Sequence, residues 1–395
     1  MVHRIECANM KKQTALLFSI LSLACFAEEE LANQEIATDQ VVVSDSIAMQ
    51  KIAKAFQIRS AGERVADLED QMKEVYTDTV RGDFGARAAS ARPQVVNNYR
   101  VYTKVDALFW KQYEGGTDYA YTDQVGTSSS VIFGTNKHLS FDWSYGFRVE
   151  TGYRVPHDSW DFLGKFTWLH SHAHSSVGAP SLGTIQPLYP AYESHTSSQA
   201  SSEWKTHLSV LDVELNKNYF LSSDFAVKPT IGLRNAWIDQ KLHATYVDYP
   251  ASGGSTKIFG RNDFWGIGPL TKMDLTYYFD SSWHMFSSIG GAILFSDIHV
   301  HSKESQGSTD VIDLNGNVRR IAPVLEGAVG FAWEMLFNDC QNHIAVRLSY
   351  EAQYWWRQNQ LLHFGPRTQG GAPYMRRVSE DLGFNGVTVD LLIDF

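Results

Sequence analysis

Charged residues set two apart along otherwise apolar segments are the part of this sequence best able to do chemistry. Lys104, Asp106, Arg148, Glu150, Arg154, Lys165, Asp212, Glu214, Arg234, Asp274, Glu326, Glu334, Arg347 and Glu351 all alternate with aromatic or aliphatic neighbours. A period of two puts successive side chains on opposite faces of a strand, so each charge falls away from its apolar neighbours. The same parity adds Lys228, Lys272, Arg320, Arg357, Asp142, Asp161 and Asp390, giving ten basic residues against eleven acidic. Such a lining is polar, hydratable and nearly neutral. It suits a water-filled passage with a transverse field and argues against strong ion selectivity. The same charges could instead neutralise one another across a narrow interior.

Other constellations are weaker. His170, His172 and His174 stand two apart and could share a metal. Their parity continues Phe166 and Trp168, so they fall on the outward face, and a solvated strand end accounts for them. His299 and His301 repeat the pattern. Serines cluster at Ser128–Ser130 and Ser197–Ser202 near His195, but no Gly-x-Ser-x-Gly occurs and no spacing singles out a nucleophile with its base. Neither a catalytic residue, a metal nor a cofactor is therefore assigned.

The elements that must position the charges are long strands. Phe141, Trp143, Tyr145, Phe147, Val149, Thr151, Tyr153 and Val155 interleave with Asp142, Ser144, Gly146, Arg148, Glu150, Gly152 and Arg154. One face is continuously apolar and the other polar, over far more than the ~5–6 residues usual in globular sheets. Similar alternation recurs at about 100–113, 159–170, 204–219, 225–240, 264–279, 283–297, 319–336, 343–357 and 382–395, ten strands in all. The connections alternate too: 156–158, 220–224, 280–282 and 337–342 are short, whereas 114–140, 171–203, 241–263, 298–318 and 358–381 are long. A closed barrel with short periplasmic turns and long outer loops generates both patterns. Twelve strands result if 114–140 holds a hairpin around Val131-Ile132-Phe133. A soluble β-sandwich competes, but would not place a long loop at every second connection. Trp110, Trp143, Trp160, Trp168, Trp265, Trp283, Trp333 and Trp356 sit near strand ends, as an interfacial girdle requires.

Composition agrees. Aromatics make up 13% of the 395 residues, and mean hydropathy is −0.26. Past the N-terminus no run approaches the ~20 apolar residues of a membrane helix.

The first 27 residues read as an export signal: Lys11 and Lys12 precede an apolar core from Ala15 to Phe26, with cleavage expected before Glu28. Met10 is an alternative start, and Cys25 admits a lipoprotein reading. Cleavage leaves 31 basic against 43 acidic residues, a formal charge of −12, which offers nothing to nucleic acid. It also leaves Cys340 as the single cysteine, excluding an internal disulfide.

Residues 28–98 form a linker and periplasmic helix. Ile58, Ala61, Val65, Leu68, Met72 and Val75 mark a heptad-like seam within about 46–76. A coiled coil joining protomers, with a trimer among the options, competes with a helix packed on the barrel mouth. Residues 99–395 form the barrel.

Several segments resemble a known group. Val105-Asp106-Ala107-Leu108-Phe109-Trp110, Phe141-Asp142-Trp143-Ser144-Tyr145-Gly146-Phe147-Arg148-Val149 and Phe264-Trp265-Gly266-Ile267-Gly268-Pro269 are followed by Pro323-Val324-Leu325-Glu326-Gly327. Then come Tyr350-Glu351-Ala352-Gln353-Tyr354-Trp355-Trp356-Arg357-Gln358-Asn359-Gln360 and Asp381-Leu382-Gly383-Phe384-Asn385-Gly386-Val387. In order and spacing they are similar to the pore-forming outer-membrane proteins typified by the Legionella major outer membrane protein, with counterparts in chlamydia-like bacteria. The resemblance implies a barrel porin or an adhesin-like major surface protein in a Gram-negative outer membrane, and carries no catalytic motif. The shortage of cysteine departs from disulfide-linked envelope proteins of chlamydial type.

The expectation is thus an all-β, antiparallel transmembrane β-barrel of about ten strands with an N-terminal helical extension. Its function is passive diffusion of small hydrophilic solutes or ions, with a structural or adhesive role through the long loops as the alternative. Its partners are outer-membrane lipid, the β-barrel assembly machinery and further copies of itself. Phe395, ending a strand whose outward face is Val387, Val389, Leu391 and Ile393, is expected to be the assembly signal.

Overall fold

The computed structural model describes residues 100–394 apart from 125–133, 156–159, 182, 191–195, 251–252, 339–340 and 365–374, together with Ala91 and Val95. The export signal, the linker, the coiled coil at 46–76, Cys340 and Phe395 lie outside the described residues.

Sixteen strands follow one another: β1 (Val101–Glu114), β2 (Asp118–Gln124), β3 (Gly134–His138), β4 (Trp143–Arg154), β5 (Trp160–Gly178), β6 (Gly183–Pro187), β7 (Gln199–Lys217), β8 (Tyr219–Phe220), β9 (Phe225–Val247), β10 (Ser255–Tyr278), β11 (Trp283–Gln306), β12 (Thr309–Phe337), β13 (Asn342–Asn359), β14 (Leu362–Phe364), β15 (Met375–Arg377) and β16 (Glu380–Asp394). Ten of them pair in the order β1-β4-β5-β7-β9-β10-β11-β12-β13-β16, and β16 returns to β1. The sheet is therefore a closed antiparallel barrel with no free edge, the condition for strands to cross hydrocarbon. The expected ten strands are present. The 114–140 connection does contain β2 and β3, but they pair with β6 in a separate small sheet and do not enter the wall.

The wall is apolar outside. Val105, Phe109, Phe147, Phe166, Leu211, Val213, Ile231, Leu233, Ile289, Ile293, Leu325, Val329, Phe331, Leu348 and Leu391 are all exposed. Exposure of this many large apolar side chains over adjacent strands is what a lipid-facing surface demands and what water would not tolerate.

Several strands are longer than expected. β9, β10, β11 and β12 reach 23 to 29 residues, so two of the five long connections are largely strand. β9 and β10 are joined through 248–254, and β11 and β12 by Gly307 and Ser308 alone. Gly307 adopts φ 60°, the left-handed conformation that the first position of a two-residue hairpin turn requires. The cause of the underestimate is a change of environment. Below Trp237 the outward residues of β9 are Leu233 and Ile231; above it they are Asp239, Lys241 and His243. The strand has left lipid for water while its inward face stays buried, so the apolar alternation stops although the pairing continues.

Two parity assignments change. Phe141 is buried and Asp142 exposed, because β4 starts at Trp143 and the chain turns before it. Arg357 is exposed: it sits at φ 53° in a register shift between Trp355 and Asn359, and its N–H donates to Asp381 Oδ1 at 2.6 Å. Trp110 also leaves the expected girdle, since it points inward and is 1% exposed.

Candidate functional site

The inward face carries the expected charges. Lys104, Asp106, Arg148, Glu150, Arg154, Lys165, Asp212, Glu214 and Arg234 are buried, and Asp274, Glu326, Glu334, Arg347 and Glu351 are part-exposed within the same lumen. Register explains how they meet. Lys104 lies opposite Glu150, Glu150 opposite Lys165, Lys165 opposite Asp212 and Asp212 opposite Arg234. This row alternates in sign across five consecutive strands, the arrangement in which cross-strand neighbours attract.

The contacts follow the row. Lys104 Nζ is 3.0 Å from Glu150 Oε2, Lys165 Nζ 3.0 Å from Asp212 Oδ2, and Arg234 Nε 2.8 Å from Asp212 Oδ1. Lys165 also reaches Glu214 at 2.6 Å. Arg347 Nε donates to Asp390 Oδ1 at 2.6 Å.

Other contacts are chords across the interior rather than steps along the wall. Arg148 on β4, which also meets its cross-strand neighbour Asp106 at 3.0 Å, donates from both Nη atoms to Glu351 on β13, at 3.1 and 2.9 Å. Arg234 Nη2 on β9 meets Glu326 Oε2 on β12 at 2.7 Å. Nearer the long-connection end, Gln112 on β1 donates to Thr206 on β7 at 3.0 Å, and Gln240 on β9 to Glu114 on β1 at 2.7 Å. A ten-stranded barrel is narrow enough for side chains to span.

The interior therefore has two halves. Toward the short turns, Lys228, Lys272, Asp274, Glu334 and Arg347 keep side-chain exposures of 15–31%. Toward the long connections, Trp110, Trp204, Phe264, Trp355 and Phe384 are at most 2% exposed and pack with Leu108, Leu208 and Leu294. Phe264 and Trp355 meet edge to face, with centroids 6.4 Å apart. Sequence reasoning missed this layer because the long-strand alternation drew attention to outward aromatics. The signal was present in Trp110 and Trp355, each adjacent to an outward aromatic and so opposite to it in parity.

Connections close over the top. Tyr119 on β2, Ile185 on β6, Tyr189, and Leu361, Leu362 and Phe364 around β14 join the same apolar cluster. Tyr246 Oη donates to the Tyr119 carbonyl at 2.7 Å. His363 on β14 stacks edge to face on Tyr189, 4.8 Å between centroids. Burial, with the Arg376 charge beside it, lowers the His363 pKa to about 4.

Against this geometry, residues 92–395 match the family model described as Legionella pneumophila major outer membrane protein precursor. The chain belongs to the Legionella major outer membrane protein family. Among curated proteins there is no match. Solved structures match it only at low identity and low TM-score. The outer membrane protease OmpT from Escherichia coli is 6% identical, with 77% of this chain and 100% of that chain covered and a TM-score of 0.41. The Pseudomonas putida toluene transporter TodX is 8% identical, over 76% and 91%, with a TM-score of 0.26. Neisserial surface protein A is 12% identical, over 76% and 100%, with a TM-score of 0.20. For this family member, membership and the closed barrel with an apolar outer band together place the chain in the outer membrane.

Proposed function

We propose that this family member is a porin-like channel for small hydrophilic solutes or ions, with its conduction governed by the apolar half of the lumen. The observation that supports this best is the polarity of the other half. Lys228, Lys272, Asp274, Glu334 and Arg347 are charged, enclosed by the wall, and still partly open to water. Hydrated charge inside a barrel lowers the barrier to a polar solute, and opposing signs orient it. The aromatic layer above is the barrier to be opened, so the arrangement described is a closed one. Passage here is set by size, field and hydration, with no turnover.

A structural or adhesive role is a second reading, favoured by the chords at Arg148–Glu351, Arg234–Glu326 and Gln240–Glu114. A barrel tied across its interior at three levels can serve as a rigid support for surface connections. Purified protein in a planar lipid bilayer separates the two. Discrete conductance steps, small and separated by long closed intervals, are expected of the channel. No step at any applied voltage would overturn it in favour of the structural role.

A further inference from the structure

The outward face above the lipid-exposed band carries a feature that passage through the lumen does not use. Register places His172 on β5 opposite Lys205 on β7, Lys205 opposite Lys241 on β9, Lys241 opposite Arg261 on β10, and Arg261 opposite His301 on β11. Five neighbouring strands thus present five basic side chains in one row, with Lys205, Lys241 and Arg261 consecutive. Adjacent strands are about 4.8 Å apart, and like charges directly opposite one another are destabilising. A merely solvated face gains nothing from this register.

The row runs parallel to a second one nearer the lipid. Trp168, Trp237 and Trp265 lie in a single lower row, with Ser209 between the first two. Trp237 and Trp265 are 39% and 42% exposed, as rings seated at the membrane surface are. In each strand the basic residue is four positions beyond the tryptophan row, roughly 13 Å along the strand and about 10 Å along the normal once the ~40° strand tilt is included. That puts it at the outer edge of the head-group layer, which is about 5–8 Å thick on each side.

Acidic residues lie nearby and pair with every member of the row except Lys241. Glu203 contacts Lys205 at 2.7 Å and His172 at 3.0 Å; Asp263 contacts Arg261 at 2.8 Å; Asp313 contacts His301 at 2.9 Å. Asp239 is in the row below, beside Asp263. Lys241 at the centre has no ion pair among the described contacts and is flanked by a cation on each side.

We propose that Lys205, Lys241 and Arg261 form a docking site for the phosphate of an anionic lipid in the leaflet around the barrel. A phosphate has acceptor oxygens enough to take hydrogen bonds from two ammonium groups and a guanidinium at once, and its charge gives Lys241 the counter-charge that Glu203 and Asp263 give its neighbours. Its source is the lipid rather than a soluble phosphate, because the site opens sideways, directly above the rings that mark the membrane surface. The proposal is independent of whether the lumen conducts.

Full-length protein in phosphatidylcholine nanodiscs doped with phosphatidic acid tests it, with retained lipid counted by native mass spectrometry. Wild type is expected to retain phosphatidic acid over phosphatidylcholine. Each of K205Q, K241Q and R261Q should lower that preference roughly fivefold, the effect of one basic residue near a charged surface. Lys241→Arg should keep it, as should a control K257Q on the same face outside the row. Heat-modified gel mobility shows that each variant is folded. No preference in wild type, or an equal preference in the K205Q/K241Q/R261Q protein, would overturn the proposal.

Discussion

At the scale of single residues, the lumen is a set of buried charges that stand or fall together. Arg234 is 2% exposed and neutralises both Asp212 and Glu326. Breaking such a pair costs more than forming it gains, because the partner is left charged and unpaired. Arg234→Met is expected to destabilise the barrel by about 3–5 kcal/mol, and adding Asp212→Leu should recover part of the loss. Urea unfolding in lipid vesicles followed by tryptophan fluorescence measures both; a single variant as stable as wild type would contradict the pairing. The fourteen lumen charges were legible in sequence because parity alone decides which side of a strand a residue faces. Arg357 and Asp142 were not, because a register shift and a strand start reset the parity locally, and neither leaves a mark in the residue pattern. Gly152 shows a further dependence invisible in sequence. A Cβ there would strike the Tyr102 ring, over which the Arg154 guanidinium lies at 5.1 Å. Strand spacing did not hint that this glycine makes room for a ring two residues into β1.

At the scale of elements, the wall and its cover respond to different conditions. The β14–β15 hairpin holds Leu362 and Phe364 over the lumen, and His363 within it is kept neutral by burial and by Arg376. A histidine whose folded pKa is depressed binds protons more readily once released. Its contribution is therefore complete above the ordinary value of 6.5 and is lost as pH falls from there through about 4. Hydrogen-exchange protection at residues 361–364, taken relative to the intrinsic amide rate at each pH, should fall as pH drops through that window, and His363→Phe should leave that protection independent of pH. Protection that is unchanged between pH 7 and 4 in wild type would contradict the assignment. Sequence located every wall strand but ended several of them early. The apolar alternation it relied on reports lipid, and β9 to β12 continue beyond lipid with charged outward faces. The Gly307-Ser308 turn was the available correction, since glycine before a small polar residue between two extended segments is a hairpin signal.

At the scale of the whole molecule, one barrel combines three environments along its length: a charged lower lumen that is partly open, an upper lumen filled by aromatic rings and buried amides, and a charged collar outside the lipid. The closed ten-strand order and the alternation of short and long connections were readable from periodicity. The division of the lumen was not, because it depends on which residues of distant strands share a level, and only the register supplies that. Its consequence for passage is specific. On the channel reading proposed above, the layer around Phe264 and Trp355 is the barrier, and of the charges below it Lys228, Lys272, Asp274, Glu334 and Arg347 keep part of their side-chain surface open. The most direct test is single-channel recording of wild type and the F264A/W355A variant in the same planar bilayer. Opening that layer should give larger and more frequent steps than wild type at equal voltage. Identical conductance and open time in the two proteins would contradict the claim that the aromatic layer holds the lumen closed.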